Sequence, residues 1–150
     1  MGGYIFDTNI FNQILDDKIE LTYFVNIECF VTHVQHDEIQ ATSDTERRSQ
    51  LEGVFSSVPQ QEISTESCIL GVSRLGQARM SDGNFCKQLK TQLDSIKTKL
   101  NNSQDALIAE TAIANQLTLV THDKNLYCVM AKFGGAACNL YHLIQLIQRA

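Results

Sequence analysis

Two short apolar runs that each lead into an aspartate constrain this chain more than any other feature. Tyr4-Ile5-Phe6 runs into Asp7-Thr8-Asn9, and Leu117-Thr118-Leu119-Val120 runs into Thr121-His122-Asp123. Each reads as a buried strand followed at once by polar residues able to open a helix. In an open α/β sheet the carboxyl ends of the strands border the crevice where ligands bind. An Asp-Thr-Asn turn also starts helices for purely structural reasons, so it is the return of the pattern that matters.

The rest of the chain alternates in the same way. Tyr4–Phe6 reads as a strand and Thr8–Asp16 as a helix, with Ile10, Phe11, Ile14 and Leu15 at helical spacing. A second strand is expected over Ile27–Thr32, then a helix over His33–Ala41 that carries Glu38. Asp44–Val58 reads as a helix capped by Ser43, with Leu51, Val54, Phe55 and Val58 on one face. Glu62–Thr65 reads as a short strand, followed by helices over Ser67–Arg79 and Asn84–Leu100 with a break at Gly83. The clearest helix is Ser103–Gln116, whose small alanines allow close approach to a sheet. It leads into the strand Thr118–Thr121. Gly134-Gly135 then turns the chain toward a short strand near Ala137–Leu140 and an amphipathic stretch over Tyr141–Gln148. Alternating strands and helices predict a three-layer α/β/α sandwich with a mainly parallel central sheet.

With 150 residues and a single proline, Pro59, the chain is expected to form one domain over residues 1–150. Its net charge is -5, from 12 basic and 17 acidic side chains, which argues against a protein that grips nucleic acid by bulk positive charge. A nuclease whose acids hold metal, with basic residues on one rim, stays open. Arg47, Arg48, Arg74, Arg79, Lys87 and Lys90 are candidates for such a rim, or simply solvated helix faces. Cys29, Cys68, Cys86, Cys128 and Cys138 are odd in number and lack a Cys-x-x-Cys pair. Buried free thiols and a cytoplasmic setting are expected. No apolar stretch approaches the length of a membrane span.

Four acids carry the candidate chemistry. Asp7 and Asp123 close two strands, Asp105 lies in the first turn of the alanine-rich helix, and Glu38 follows the second strand. In a parallel sheet these positions converge on one side. Converging carboxylates repel and raise one another's pKa unless cations intervene, and hard oxygen ligands suit Mg²⁺ or Mn²⁺. Such a centre can orient a water and stabilise an in-line phosphodiester displacement. Acids in a first helical turn are also favoured by the macrodipole, which accounts for Asp105 and Asp123 without function.

The four blocks Ile5-Phe6-Asp7-Thr8-Asn9, His36-Asp37-Glu38-Ile39, Asp105-Ala106-Leu107-Ile108-Ala109 and Leu119-Val120-Thr121-His122-Asp123-Lys124-Asn125-Leu126 resemble, in order and spacing, the PIN-domain family. These are small metal-dependent ribonucleases that include VapC-type toxins. The resemblance extends over most of the chain and is most specific in its second half. It implies that Asp7, Glu38, Asp105 and Asp123 hold Mg²⁺ or Mn²⁺, and that Asn9 and Thr121 support the site. Many relatives have an aspartate where this chain has Asn125, which implies a weaker second metal position. The resemblance further implies an endoribonuclease acting on RNA, a small antitoxin partner and a homodimer. An antitoxin helix would need an apolar groove, expected around Phe11, Leu15 and Phe55.

Other patterns point elsewhere. Gly71-Val72-Ser73-Arg74-Leu75-Gly76 has P-loop glycine spacing, but Gln77-Ala78 replaces the phosphate-binding Lys-Ser/Thr. His33 and His36 near Cys29 suggest zinc, yet no further soft ligands follow at useful spacing, so packing or surface roles are expected. His122 beside Asp123 is expected to be solvated. Two competing functions stay in view. One is a catalytically inactive PIN-like binding or scaffold module, for which Asn125 leaves room. The other is a haloacid-dehalogenase-like phosphatase, which needs an aspartate where Asn9 stands.

Overall fold

The computed structural model describes residues 2–69, 72–73, 76–77 and 83–150. Its strands are β1 (Tyr4–Phe6), β2 (Cys29–Val31), β3 (Gln61–Glu62), β4 (Thr118–Val120) and β5 (Ala136–Cys138). They form a five-stranded sheet in the order β3-β2-β1-β4-β5, and every pairing is parallel. The helices are α1 (Thr8–Asp16), α2 (His33–Gln40), α3 (Thr45–Ser57), α4 (Asn84–Ile96), α5 (Asn102–Ala114), α6 (Lys124–Lys132) and α7 (Leu140–Arg149). The result is the expected three-layer α/β/α sandwich.

Strand alternation divides the core in two. Ile5, Phe30, Leu119 and Ala137 face one helical layer, with Leu89 and Leu93 of α4, Ala106 to Ala109 of α5 and Leu126, Val129 and Met130 of α6. Tyr4, Phe6, Cys29, Val120 and Cys138 face the other, with Ile10, Phe11 and Ile14 of α1, Leu51 of α3 and Leu143 and Ile144 of α7. Successive strand residues thus feed opposite cores, as the two-residue period of a pleated strand requires. Central β1 and β4 lie side by side in register, Ile5 against Leu119 and Phe6 against Val120. Their carboxyl ends therefore finish together, and so do Asp7 and the turn before Asp123.

Helix α5 is buried along most of its length, with Ala106, Ala109 and Ala112 fully enclosed. Small side chains let it approach the sheet closely. At the end of α6, Gly134 takes a φ of 78°, and a Cβ on Gly135 would come within 2.8 Å of Ile113 Cγ1. The double glycine is thus needed both for the turn and for the packing.

Several expectations are corrected. Asp44, not Ser43, caps α3, its side chain accepting the Arg47 N–H. Helix α5 stops at Ala114, where Gln116 takes a left-handed φ of 56°. Strand β3 lies one residue earlier than expected and is only two residues long. A 3₁₀ turn at Leu21–Phe24 carries no clear periodicity and was not anticipated. The described residues of the expected helix over Ser67–Arg79 are bends, turns and irregular backbone, with Thr65 N–H donating to the Gln77 carbonyl; the remainder, including Arg74 and Arg79, lies outside the described residues. Phe11 is fully buried and packs on Phe55 at 5.2 Å between ring centroids, so it belongs to the core and not to a docking groove.

Candidate active site

Asp7 sits where β1 becomes α1 and caps that helix, Oδ1 accepting the Thr8 N–H at 2.8 Å. Its Oδ2 accepts the Thr121 hydroxyl, also at 2.8 Å. The Thr121 oxygen in turn accepts the Asp123 N–H at 3.0 Å. One threonine side chain thereby ties the ends of both central strands. Asp123 caps α6 through Oδ1, which accepts the N–H groups of Asn125 and Leu126. The contact seen for Asn125 is thus made by its backbone.

Glu38 reaches the same place from α2. Thr32 and Gln35 form a capping box at the start of that helix, and Gln35 Nε2 donates to the Phe6 carbonyl at 3.1 Å. This buried amide fastens α2 to the end of β1, one residue before Asp7. The Thr8 hydroxyl donates a short hydrogen bond to Glu38 Oε2. Asp105 enters from the first turn of α5 and is buried.

The electrostatics follow from this crowding. Burial pushes the Asp105 carboxyl up to about 8, with further upward pressure from Asp7 and Glu38. Burial likewise pushes Glu38 up to about 7, against the Thr8 hydrogen bond and with Asp7 adding to the rise. Asp7 is also raised, chiefly by burial, against hydrogen bonds from Thr121 and Thr8. Asp123 behaves oppositely. Burial raises it, but Lys99 and the Leu126 and Asn125 N–H groups outweigh burial and hold it below its ordinary value.

Lys99, on the loop between α4 and α5, is the residue that the sequence reading missed. Its ammonium lies 2.8 Å from Asp123 Oδ2 and 3.8 Å from Asp105 Oδ2. Neither its spacing nor its neighbours Thr98 and Leu100 mark it out. Gln35 and Thr8 were missed too; only the capping pattern around Thr32 gave a local hint.

Buried oxygens without hydrogen-bond partners test whether a hard cation suits the place. Asp105 Oδ2, Glu38 Oε1 and Asn9 Oδ1 are such atoms. Oxygens of this kind are what Mg²⁺ or Mn²⁺ prefers, and a cation would relieve both the missing partners and the raised pKa values. The donor chemistry therefore fits. The arrangement is not closed, however: among the described residues no three His, Cys, Asp or Glu side chains stand ready to grip an ion. Asp7 and Glu38 act on Asp105 through their charge, and Lys99 pairs with both Asp105 and Asp123.

Other candidates take structural places. His33 is buried and pairs with Asp37 at 3.1 Å, while His36 packs on Phe55 at 5.2 Å between ring centroids. Arg47 binds Asp16 and Asn12, joining α3 to α1 instead of facing a ligand. Lys90 pairs with Asp94, and Arg48 donates to the Thr42 carbonyl. All five cysteines are free, but Cys68 and Cys128 are exposed where burial was expected. His122 is exposed and faces Tyr141. Among the described residues no helix is long and apolar enough to cross a membrane.

No protein-family model and no curated protein sequence matches the chain. Solved structures do share its architecture. VapBC2 from Rickettsia felis, bound to a DNA fragment from its promoter, superposes with a TM-score of 0.57 at 19% identity, covering 91% of this chain and 97% of that one. PAE2754 from Pyrobaculum aerophilum superposes with a TM-score of 0.57 at 16% identity, covering 99% and 98%. At such identities the likeness is one of architecture, and the fold is PIN-like.

Proposed function

We propose that this chain is a Mg²⁺- or Mn²⁺-dependent endoribonuclease of the toxin type. The observation that carries the reading is the pair of buried carboxylate oxygens, Asp105 Oδ2 and Glu38 Oε1, left without donors, and the upward pressure that Asp7 and Glu38 exert on Asp105 supports it. Asp7, Glu38, Asp105 and Asp123 would hold the ion directly or through water, with Asn9, whose buried side-chain oxygen has no partner, in a supporting role and Asn125 adding no charge. A divalent cation would neutralise the acids and polarise both a water and a phosphodiester. Thr121 keeps Asp7 and the Asp123 backbone in register, and Thr8 orients Glu38. Gln35 holds the helix carrying Glu38 against the strand carrying Asp7. No side-chain nucleophile is required, because water attacks. The reading includes a single domain, a homodimer, a cytoplasmic setting and a small antitoxin that silences the cleft. VapBC2, a solved assembly of the same fold, supports a search for such a partner.

A second reading, an inactive PIN-like binding module, draws on the Lys99–Asp123 pair and the unclosed ligand set. One assay separates the two. Purified protein is incubated with structured and unstructured RNA in Mg²⁺, Mn²⁺ or excess EDTA, beside Asp7→Asn and Asp105→Asn. Cleavage that needs metal and vanishes in both variants is expected. Cleavage persisting in chelator would refute the metal mechanism, and intact RNA throughout would favour the binding module.

A further inference from the structure

Asp123 has one oxygen to offer a cation. Its Oδ1 is committed to the α6 cap, accepting the Asn125 and Leu126 N–H groups at 2.9 and 3.3 Å. Its Oδ2 is bound by the Lys99 ammonium at 2.8 Å. The same ammonium stands 3.8 Å from Asp105 Oδ2, within ion-pair range, yet that oxygen has no hydrogen-bond donor. Lys99 thus satisfies one acid fully and another only in part.

The loop that delivers Lys99 is built to do so. Asn102, fully buried, donates to the Asp94 side chain at 2.7 Å and to the Lys97 carbonyl at 2.9 Å. Its own N–H donates to the Lys99 carbonyl at 3.3 Å. Within this clamped loop Lys97, Thr98 and Leu100 are exposed, and Leu100 completely so, while the Lys99 side chain is turned in and only 25% exposed. Apolar burial would orient such a loop the other way, with the leucine inside. Charge attraction to the acids therefore sets its orientation.

We propose that Lys99 is a resident occupant of the acid cleft, an ammonium that competes with the divalent cation for Asp123 and Asp105 and so sets the metal concentration at which the site fills. The proposal rests on the metal reading above. A divalent cation reaching Asp123 Oδ2 would meet the ammonium already bound there, and like-charge repulsion at close range would oppose binding until the lysine head group moves away. The long, flexible lysine stem allows the head group to swing out into solvent without moving the loop. In the absence of metal the protein then keeps part of its acid cluster neutralised.

The test is calorimetric titration of MnCl₂ into the wild type, Lys99→Met, Lys99→Gln, Lys99→Arg and Asp105→Asn at low ionic strength, read without any RNA. Wild type should bind, and Asp105→Asn should lose most binding. Lys99→Met should bind Mn²⁺ roughly tenfold tighter or more, since the competing charge is gone. Lys99→Gln, polar and neutral, should tighten in the same sense and stands in if the methionine variant folds poorly. Lys99→Arg, which keeps the charge, should stay near wild type. Unchanged or weaker affinity in both neutral variants, with the wild type binding, overturns the competition and leaves the metal site standing. Absence of Mn²⁺ binding in every protein overturns both.

Discussion

The Thr121 hydroxyl donates to Asp7 Oδ2 at 2.8 Å across 114 positions of sequence. Because the Thr121 hydroxyl oxygen itself accepts the Asp123 N–H, one side chain couples the ends of the two central strands. Thr121→Val keeps the shape and removes the bond, leaving a buried carboxylate oxygen and a backbone N–H without their partner. A loss of about 1–3 kcal/mol in stability is expected by denaturant unfolding. Metal-dependent RNA cleavage should fall by more than the folded fraction explains, with Thr121→Ser restoring most of it. Full cleavage by the valine variant would deny the coupling any role.

The pH dependence of the metal-free protein has a defined sign. Burial raises Asp105 from 3.8 to about 8 and Glu38 from 4.5 to about 7 in the folded state. Between those limits the folded chain holds protons that the unfolded chain has released, so stability falls as pH rises. The contribution is fully present below about pH 4 and lost through pH 7 to 8. Thermal melts in chelator should therefore decline from pH 5 to pH 8, and Asp105→Asn should flatten the decline. A rising melting temperature over that interval in wild type would contradict the buried-acid picture.

Gln35 is a positioning residue with no partner role in chemistry. Its Nε2 bond to the Phe6 carbonyl is replaced in Gln35→Leu by an unsatisfied buried carbonyl and a lost capping box. The expected cost is about 1–3 kcal/mol. Because α2 carries Glu38, Mn²⁺ affinity should weaken in parallel, which calorimetry on the folded variant would reveal. Wild-type affinity in a destabilised variant would limit Gln35 to stability alone.

Ala109 lies on the face of α5 enclosed by the core. Ala109→Leu adds volume where small residues set the helix close to the sheet, and overpacking of this kind costs about 1–3 kcal/mol. Since Asp105 sits one turn earlier on the same helix, both stability and Mn²⁺ binding should suffer. Substitution at exposed Thr91 offers the contrast, with little change in either.

Local patterns made much of the architecture readable. Tyr4–Phe6 and Thr8–Asp16 form the elements their periodicity implies, residue for residue, and Leu51, Val54, Phe55 and Val58 do face one core. Asp7, Glu38, Asp105 and Asp123 were candidates because strand ends and first helical turns are short-range features, and parallel topology brings such ends to one side. Short irregular elements were poorly marked. Strand β3 has two residues, too few to show a period, and the described part of residues 67–77 lacks the helix its composition suggested.

The alternation of elements, hence a parallel sheet between helical layers, and the placement of acids near strand ends and first helical turns were written in local patterns. Hydrophobic period and helix capping act over a few residues, so they are legible along the chain. Packing across the chain settled that Phe11 is core, that Arg47 joins two helices, that Gln35 fastens α2 to β1, and that Lys99 pairs with Asp123 while Leu100 points to solvent. Each of those outcomes depends on partners distant in sequence, brought near by the packing of whole elements, and no local pattern encodes which side chain the loop will turn inward.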